Sequence, residues 1–219
     1  QTCAVRHTRS SPSPRTLRDP YSQNQGTNME ITEWMAPRLL SGRVALVTGA
    51  GQGNGKAIAK GLAKAGATVI VTDLNEVNAK SVVGEIQEAG EKAFAYRLDV
   101  TSSAECDALA ETVGKEVGDI DILVNNAGVI IREGVDSQKV AANLQRTLDV
   151  NVMGTFHPTH AWLPSLRRTR GVIINVGSIA STTGIPNVVG YSPSKGAVKM
   201  LTQALAVELA KDGIRVNAI

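Results

Sequence analysis

Tyr191 and Lys195 stand four residues apart at the start of a helical run, so they share one helix face. A free phenol ionises near pH ~10, and an ammonium close by favours the phenolate. Such a phenol can take a proton from an alcohol or give one to a developing alkoxide. Tyr-x-x-x-Lys alone is also a common surface pair, so its meaning depends on its surroundings. Pro193 falls between the two residues, which suits only a first helical turn. That places the phenol at a helix N-terminus. Ser178, thirteen residues upstream, follows an apolar run, and Asn151 lies in Leu148-Asp149-Val150-Asn151. On their own, these two read as a turn serine and a mid-helix asparagine that hydrogen-bonds in the core.

A second group is Thr48-Gly49-Ala50-Gly51-Gln52-Gly53-Asn54-Gly55, between a strand-like run and a helical one. A glycine turn there lets the backbone approach a pyrophosphate, and the helix N-terminus offers it N–H groups and a positive dipole end. A Walker A loop needs Gly, four residues, then Gly-Lys-Ser/Thr. Ala50 and Ala57 occupy its outer positions, so that motif fails. G-x-G-x-x-G fails as well, because Asn54 and Lys56 stand where its third glycine belongs. T-G-x-x-x-G-x-G fits, through Gly49, Gly53 and Gly55. Asp73 follows 24 residues after Gly49, at the end of the second strand-like run. A carboxylate there accepts from adenosine ribose hydroxyls and repels a 2′-phosphate. Gln52 and Leu74 offer that phosphate no cation, so NAD is expected over NADP.

The elements that must hold these groups alternate. Strand-like runs cover 43–48, 68–72, 92–98, 121–126, 172–177 and 214–219; helix-period segments cover about 55–65, 76–89, 103–117, 143–167 and 192–211. The strands are nearly all apolar, as strands covered on both faces are. Gly66, Gly90, Gly118 and Gly213 stand where helices should stop. The pattern predicts an α/β fold with a doubly wound parallel sheet between two helical layers.

Composition narrows the function classes. Of 219 residues, 42% are hydrophobic and 20% charged, as in ordinary globular domains. No uninterrupted apolar run reaches the ~18 residues of a membrane span. The net charge of +3 resides wholly in residues 1–28, which hold four arginines and one acid; the other 191 residues hold 19 bases and 19 acids. A nucleic-acid module needs a basic face on the folded part, and none is expected here. Cys3 and Cys106 make no disulfide framework and fit a reducing, cytoplasmic setting. His157 and His160 complete no metal set with them. Residues 1–41 are expected to be a disordered or non-native leader before a domain at 42–219. Organellar targeting by the Arg- and Ser-rich first 28 residues is the alternative, against which Pro12, Pro14 and Pro20 count.

Together the chain resembles the short-chain dehydrogenase/reductase family over 42–219. The marks are TGAGQGNG at 48–55, Asp73, Leu98-Asp99-Val100, Asn125-Asn126-Ala127-Gly128, Asn151, Ser178, Tyr191-Ser-Pro-Ser-Lys195 and Arg215-Val-Asn-Ala-Ile219. The resemblance implies a Rossmann-type, three-layer αβα fold and hydride transfer between an alcohol or ketone and NAD, NADP being the less expected cofactor. It implies that the turn from Gly49 through Gln52, Gly53 and Asn54 to Gly55 cradles the pyrophosphate, and that Asp73 holds the adenosine ribose. Asp99 and Val100 would flank the adenine, and Asn126, Ala127 and Gly128 would wall the cofactor. Tyr191 would be the general acid/base, and Lys195 would bind the nicotinamide ribose and tune the phenol. Ser178 would orient the substrate oxygen, and Asn151 would hold a water of the proton relay. Asn54 departs from the family, which usually has an apolar residue there. The family also continues past the position of Ile219 with a turn, a substrate-covering segment and a seventh strand. An incomplete catalytic domain with six of seven strands is therefore expected, poorly soluble or inactive as written, whereas its full-length parent is active. A homodimer or homotetramer built on the segments 143–167 and 192–211 is also implied. An NADP-dependent 3-oxoacyl reductase and a non-catalytic dinucleotide-binding protein are the competing functions. Val129, Ile130, Ile179, Ile185, Pro186 and Val188 make the expected substrate side mostly apolar.

Overall fold

The computed structural model describes residues 38–219, and expectations for residues 1–37 lie outside the described residues. Six parallel strands form one sheet: β1 (Val44–Thr48), β2 (Thr68–Asp73), β3 (Ala93–Arg97), β4 (Ile122–Asn125), β5 (Val172–Asn175) and β6 (Arg215–Ala218). Their order is β3-β2-β1-β4-β5-β6. The helices are α1 (Gly53–Lys64), α2 (Glu76–Glu88), α3 (Ser103–Glu116), α4 (Val140–Leu148), α5 (Gly154–Thr169) and α6 (Tyr191–Leu209). The chain winds outward from β1 to β3, then returns to place β4 on the other side of β1. That reversal opens a crevice at the carboxyl ends of β1 and β4, the usual ligand position in such sheets.

The continuous apolar strands have a direct cause. Ala45, Val47, Val69 and Val71 point to one face and pack with Ala59, Val82 and Ile86 of α1 and α2. Leu46, Ile70, Leu123 and Ile173 point to the other and pack with Val113, Trp162, Leu166 and Leu209 of α3, α5 and α6. Both faces are covered, so no polar alternation survives. Local signals set the helix ends. Asn75 Oδ1 accepts from the N–H groups of Val77 and Asn78 at the start of α2, and the Ser102 hydroxyl accepts from Glu105 N–H at the start of α3. The four glycines expected to stop helices all lie at positive φ.

Three details differ from the sequence pattern. β3, β4, β5 and β6 end one or two residues inside their apolar runs, whereas β1 ends with its run and β2 extends one residue further, to Asp73. Residues 38–41, taken from composition as the end of a leader, belong to a turn packed on the domain. There Leu40 N–H donates to Ala65 O at 2.8 Å, and the Leu40 side chain packs against the α1–α2 core. Finally, the helix expected at 143–167 is two helices, joined by a π-helical turn over Asp149–Met153. Periodicity alone does not detect one extra residue in a turn. Just after it Gly154 packs closely on the loop after β3, where a Cβ would lie 2.6 Å from Val100 Cγ2. Among the described residues, no helix is long and apolar enough to cross a membrane.

Candidate active site

The crevice begins with the turn after β1. Gly49 has φ +60°, and a Cβ on it would lie 2.8 Å from Ala127 Cα. A Cβ on Gly55 would collide with Gly49 O and Asn126 Nδ2. Only glycine permits this approach of loop, helix and β4. The Thr48 hydroxyl accepts from Asn126 N–H and Ala127 N–H at 3.1 Å each. Asn126 Nδ2 donates to Thr48 O and Gly49 O at 2.9 Å each. α1 then starts at Gly53, with no side-chain cap from Gln52 before it and no acid in its first turn. Its free N–H groups and positive dipole end suit an anion. Asn54 is exposed on that turn, which explains why a polar residue is accommodated where packing is absent.

The next wall is acidic. Asp73 Oδ2 accepts from Gly51 N–H at 2.8 Å and Oδ1 from Asn75 N–H at 2.9 Å. These bonds fix the carboxylate beside the glycine turn. Asp99 accepts from the hydroxyl and the N–H of Thr101, and these bonds hold its carboxyl below the usual range. Val100 is buried, and His157 Nδ1 of α5 lies 3.1 Å from its carbonyl oxygen.

The far end holds the expected proton-transfer residues. Lys195 is 6% exposed, and its Nζ donates to Val176 O at 2.6 Å. The same Nζ lies 5.8 Å from the centroid of the Tyr191 ring. Burial pushes the Lys195 ammonium below the ordinary lysine range. Asn151 sits in the π turn and is buried. Its Oδ1 accepts from Val129 N–H at 2.8 Å, and its Nδ2 donates to Val129 O at 2.9 Å. The Asn151 carbonyl accepts from the Thr155 hydroxyl at 2.8 Å. Ser178 is extended and precedes a short 3₁₀ turn; its Oγ accepts from Ala180 N–H at 3.1 Å.

One cleft of about 490 Å³ takes in every catalytic and cofactor residue expected from the sequence except Gly53, Asn151 and Ser178; of the expected substrate-side residues it takes in Val129 and Ile130 but not Ile179, Ile185, Pro186 or Val188. Gly53 faces open space, and Asn151 lies behind the cleft wall, bonded to Val129. The cleft also takes in Arg146 and Val150, which the sequence reading did not select. Their four-residue spacing on a helix was the available signal.

The residues present fit a dinucleotide. A Cβ would fill the cradle at Gly55, an uncapped helix N-terminus faces it, and a fixed carboxylate stands beside it. A doubly wound sheet with this cradle and a tyrosine–lysine pair in one crevice defines a dinucleotide-linked oxidoreductase. The chain belongs to the short chain dehydrogenase family, whose model matches residues 43–219. Members of that family are NAD(P)-linked oxidoreductases of CH–OH groups. The chain is 40% identical over 181 residues to the 7alpha-hydroxysteroid dehydrogenase of Escherichia coli (strain K12), covering 82% of this chain and 70% of that protein. It matches a gluconate 5-dehydrogenase from Burkholderia cenocepacia J2315, solved in complex with NADP and tartrate, with TM-score 0.78 and 36% identity. A 7 alpha-hydroxysteroid dehydrogenase complexed with NADH and 7-oxo glycochenodeoxycholic acid matches with TM-score 0.78 and 40% identity. Each of these structural matches covers 82% of this chain and 70% of the other.

The buried ammonium carries a stability prediction. Burial makes the folded chain release the Lys195 proton more readily than the unfolded chain does. Between the two pKa values the unfolded chain binds more protons, so stability rises with pH across that window, up to the ordinary lysine value of ~10.4. Lys195→Met should therefore raise the unfolding midpoint at neutral pH and flatten its rise toward pH ~10. Scanning calorimetry of both proteins across that range measures this. A lower midpoint for the variant would mean that the bond to Val176 outweighs the cost of burial.

Proposed function

We propose that the protein is an NAD-dependent oxidoreductase that interconverts a secondary alcohol and a ketone, with Tyr191 as general acid/base. The observation that carries this reading is that Tyr191 and Lys195 line the same cleft as the glycine cradle. When bound, the nicotinamide supplies the hydride acceptor or donor. In the oxidation direction, Tyr191 Oη takes the carbinol proton as the hydride leaves the same carbon. In reduction it returns a proton to the oxygen. Lys195 stands beside the Tyr191 ring and would hold a cofactor ribose hydroxyl with an N–H not used on Val176. The Ser178 oxygen accepts from Ala180 N–H, so its own proton remains to donate to the substrate oxygen. The Asn151 carbonyl has a second lone pair beyond its bond to Thr155, which suits a relay water. Ile130 and Ile179 are exposed beside these groups and favour a substrate whose alcohol lies on an apolar body.

Asp73 supports the choice of NAD. Its carboxylate is fixed by two backbone N–H groups where a 2′-phosphate would bring like charge. The protein is also proposed to form a homodimer or homotetramer through α4–α5 and α6. Met153 and Phe156 on the π turn and α5, and Met200 and Val207 on α6, are exposed apolar side chains in support.

Three outcomes are expected. Tyr191→Phe should lower turnover on an alcohol panel by about 10²–10⁴-fold, the usual worth of a positioned acid or base, while NADH still binds. Unchanged turnover would exclude the assigned mechanism. In fluorescence titrations the unaltered protein should bind NADH more tightly than NADPH, and Asp73→Ala should narrow the gap. Equal or tighter NADPH binding before substitution defeats the charge argument. Sedimentation should show an oligomer that Phe156→Glu weakens; an unaltered protein that is monomeric at high concentration overturns the assembly.

A further inference from the structure

We propose that Ser194 is a positioning residue for the Tyr191 phenol, an inference that rests on reading Tyr191 as the acid/base. Ser194 is wholly buried in the first turn of α6. Its hydroxyl donates to Tyr191 O at 2.7 Å and accepts from Asn151 Nδ2 at 2.9 Å. Every proton in this junction is used once. One Asn151 Nδ2 proton goes to Val129 O and the other to Ser194 Oγ, while Asn151 Oδ1 takes the Val129 N–H. A single hydroxyl thus ties the residue carrying the phenol to the π turn. The π turn in turn holds Val129 in the cleft wall.

The local backbone shows why this tie is needed. Tyr191 is the first residue of α6, where helices fray, and its N–H shares a single acceptor with that of Ser192: both donate to Val188 O, at 3.0 and 3.2 Å, in the loop before the helix. The preceding residue, Gly190, has no side chain to cap the helix. It is glycine because the start of α6 presses on α4, where a Cβ would lie 3.1 Å from Leu144 Cα and 3.2 Å from Thr147 Oγ1. Close packing therefore occupies the space in which a capping side chain would work. Pro193 adds no backbone donor. Ser194 supplies the lateral anchor from inside the turn, through Asn151.

Loss of the hydroxyl strands one Asn151 proton in a buried site and frees the first turn. The phenol then moves relative to the reacting carbon, while the glycine cradle at the other end of the cleft is untouched. Ser194→Ala should lower kcat by roughly 10- to 100-fold, as small misplacements of reacting groups do. KM and the NADH dissociation constant should change by less than about threefold. Ser194→Cys, which keeps the size and a weak donor, should recover part of kcat. The proposal is overturned if Ser194→Ala keeps kcat within about twofold, or if KM and the NADH dissociation constant rise by as large a factor as kcat falls. If Ser194→Ala does not fold, Ser194→Cys decides the matter: a drop confined to kcat supports the anchor, and an unchanged kcat refutes it. Tyr191→Phe run in parallel separates the two levels, because retained turnover there removes the acid/base reading whatever Ser194 does.

Discussion

The parting of β1 and β4 is the constraint on which the site depends. Two strands that pair must separate at their ends to admit a ligand, and separation exposes backbone groups that still need partners. Thr48 and Asn126 resolve this with side chains. One hydroxyl takes two N–H groups of the β4 exit, and one carboxamide feeds two carbonyls of the β1 exit. The crevice opens, yet both exits stay locked to each other. The glycine turn, the start of α1 and the Ala127 wall are all hung from these four bonds.

Beyond the crevice, a buried polar chain carries that geometry to the end that holds Tyr191 and Asn151. Asn125 Nδ2 donates to Thr159 Oγ1 and Asn175 Oδ1, and Asn175 Nδ2 donates to Thr202 Oγ1 of α6. Thr159 donates to Thr155 O, and Thr155 donates to Asn151 O in the π turn. Apolar packing alone tolerates small slides of one helix on a sheet; directional bonds in a low-dielectric interior do not. The helix that carries Tyr191 and the helix that follows Asn151 are thereby indexed to the same two strands.

Much of this was legible in the residues. Strand–helix alternation, the apolar strands and the helix-stopping glycines specified the doubly wound sheet, because each follows from local chemistry or from two-sided burial. The glycine spacing and Asp73 were legible because few residues satisfy close backbone approach or a fixed charge. Asn151 was harder: mid-helix asparagines are usually bland, and its importance comes from a turn whose extra residue leaves no mark in periodicity. Arg146 and Val150 were missed because their relevance depends on which helix face meets Val100, a tertiary fact. Ser194 stands inside the Tyr191–Lys195 motif, yet nothing there marks its hydroxyl as an anchor, since its two partners are supplied by a helix start and a residue 43 positions away.

The π turn has one more consequence. It holds one residue more than the α-helical path needs, so helix rotation before and after it is offset by about 100°. Arg146 lines the cleft ahead of that offset and Val150 within it, and Gly154 sits against Val100 just after it. Loss of a single residue between 149 and 153 would let the segment relax into an unbroken α-helix, an easier structure for the backbone. It would also turn α4 away from the cleft while leaving α5 in the core. The region is therefore tolerant of substitution in its exposed side chains but intolerant of any change in length, and its constraint is a count of residues as much as the identity of Asn151.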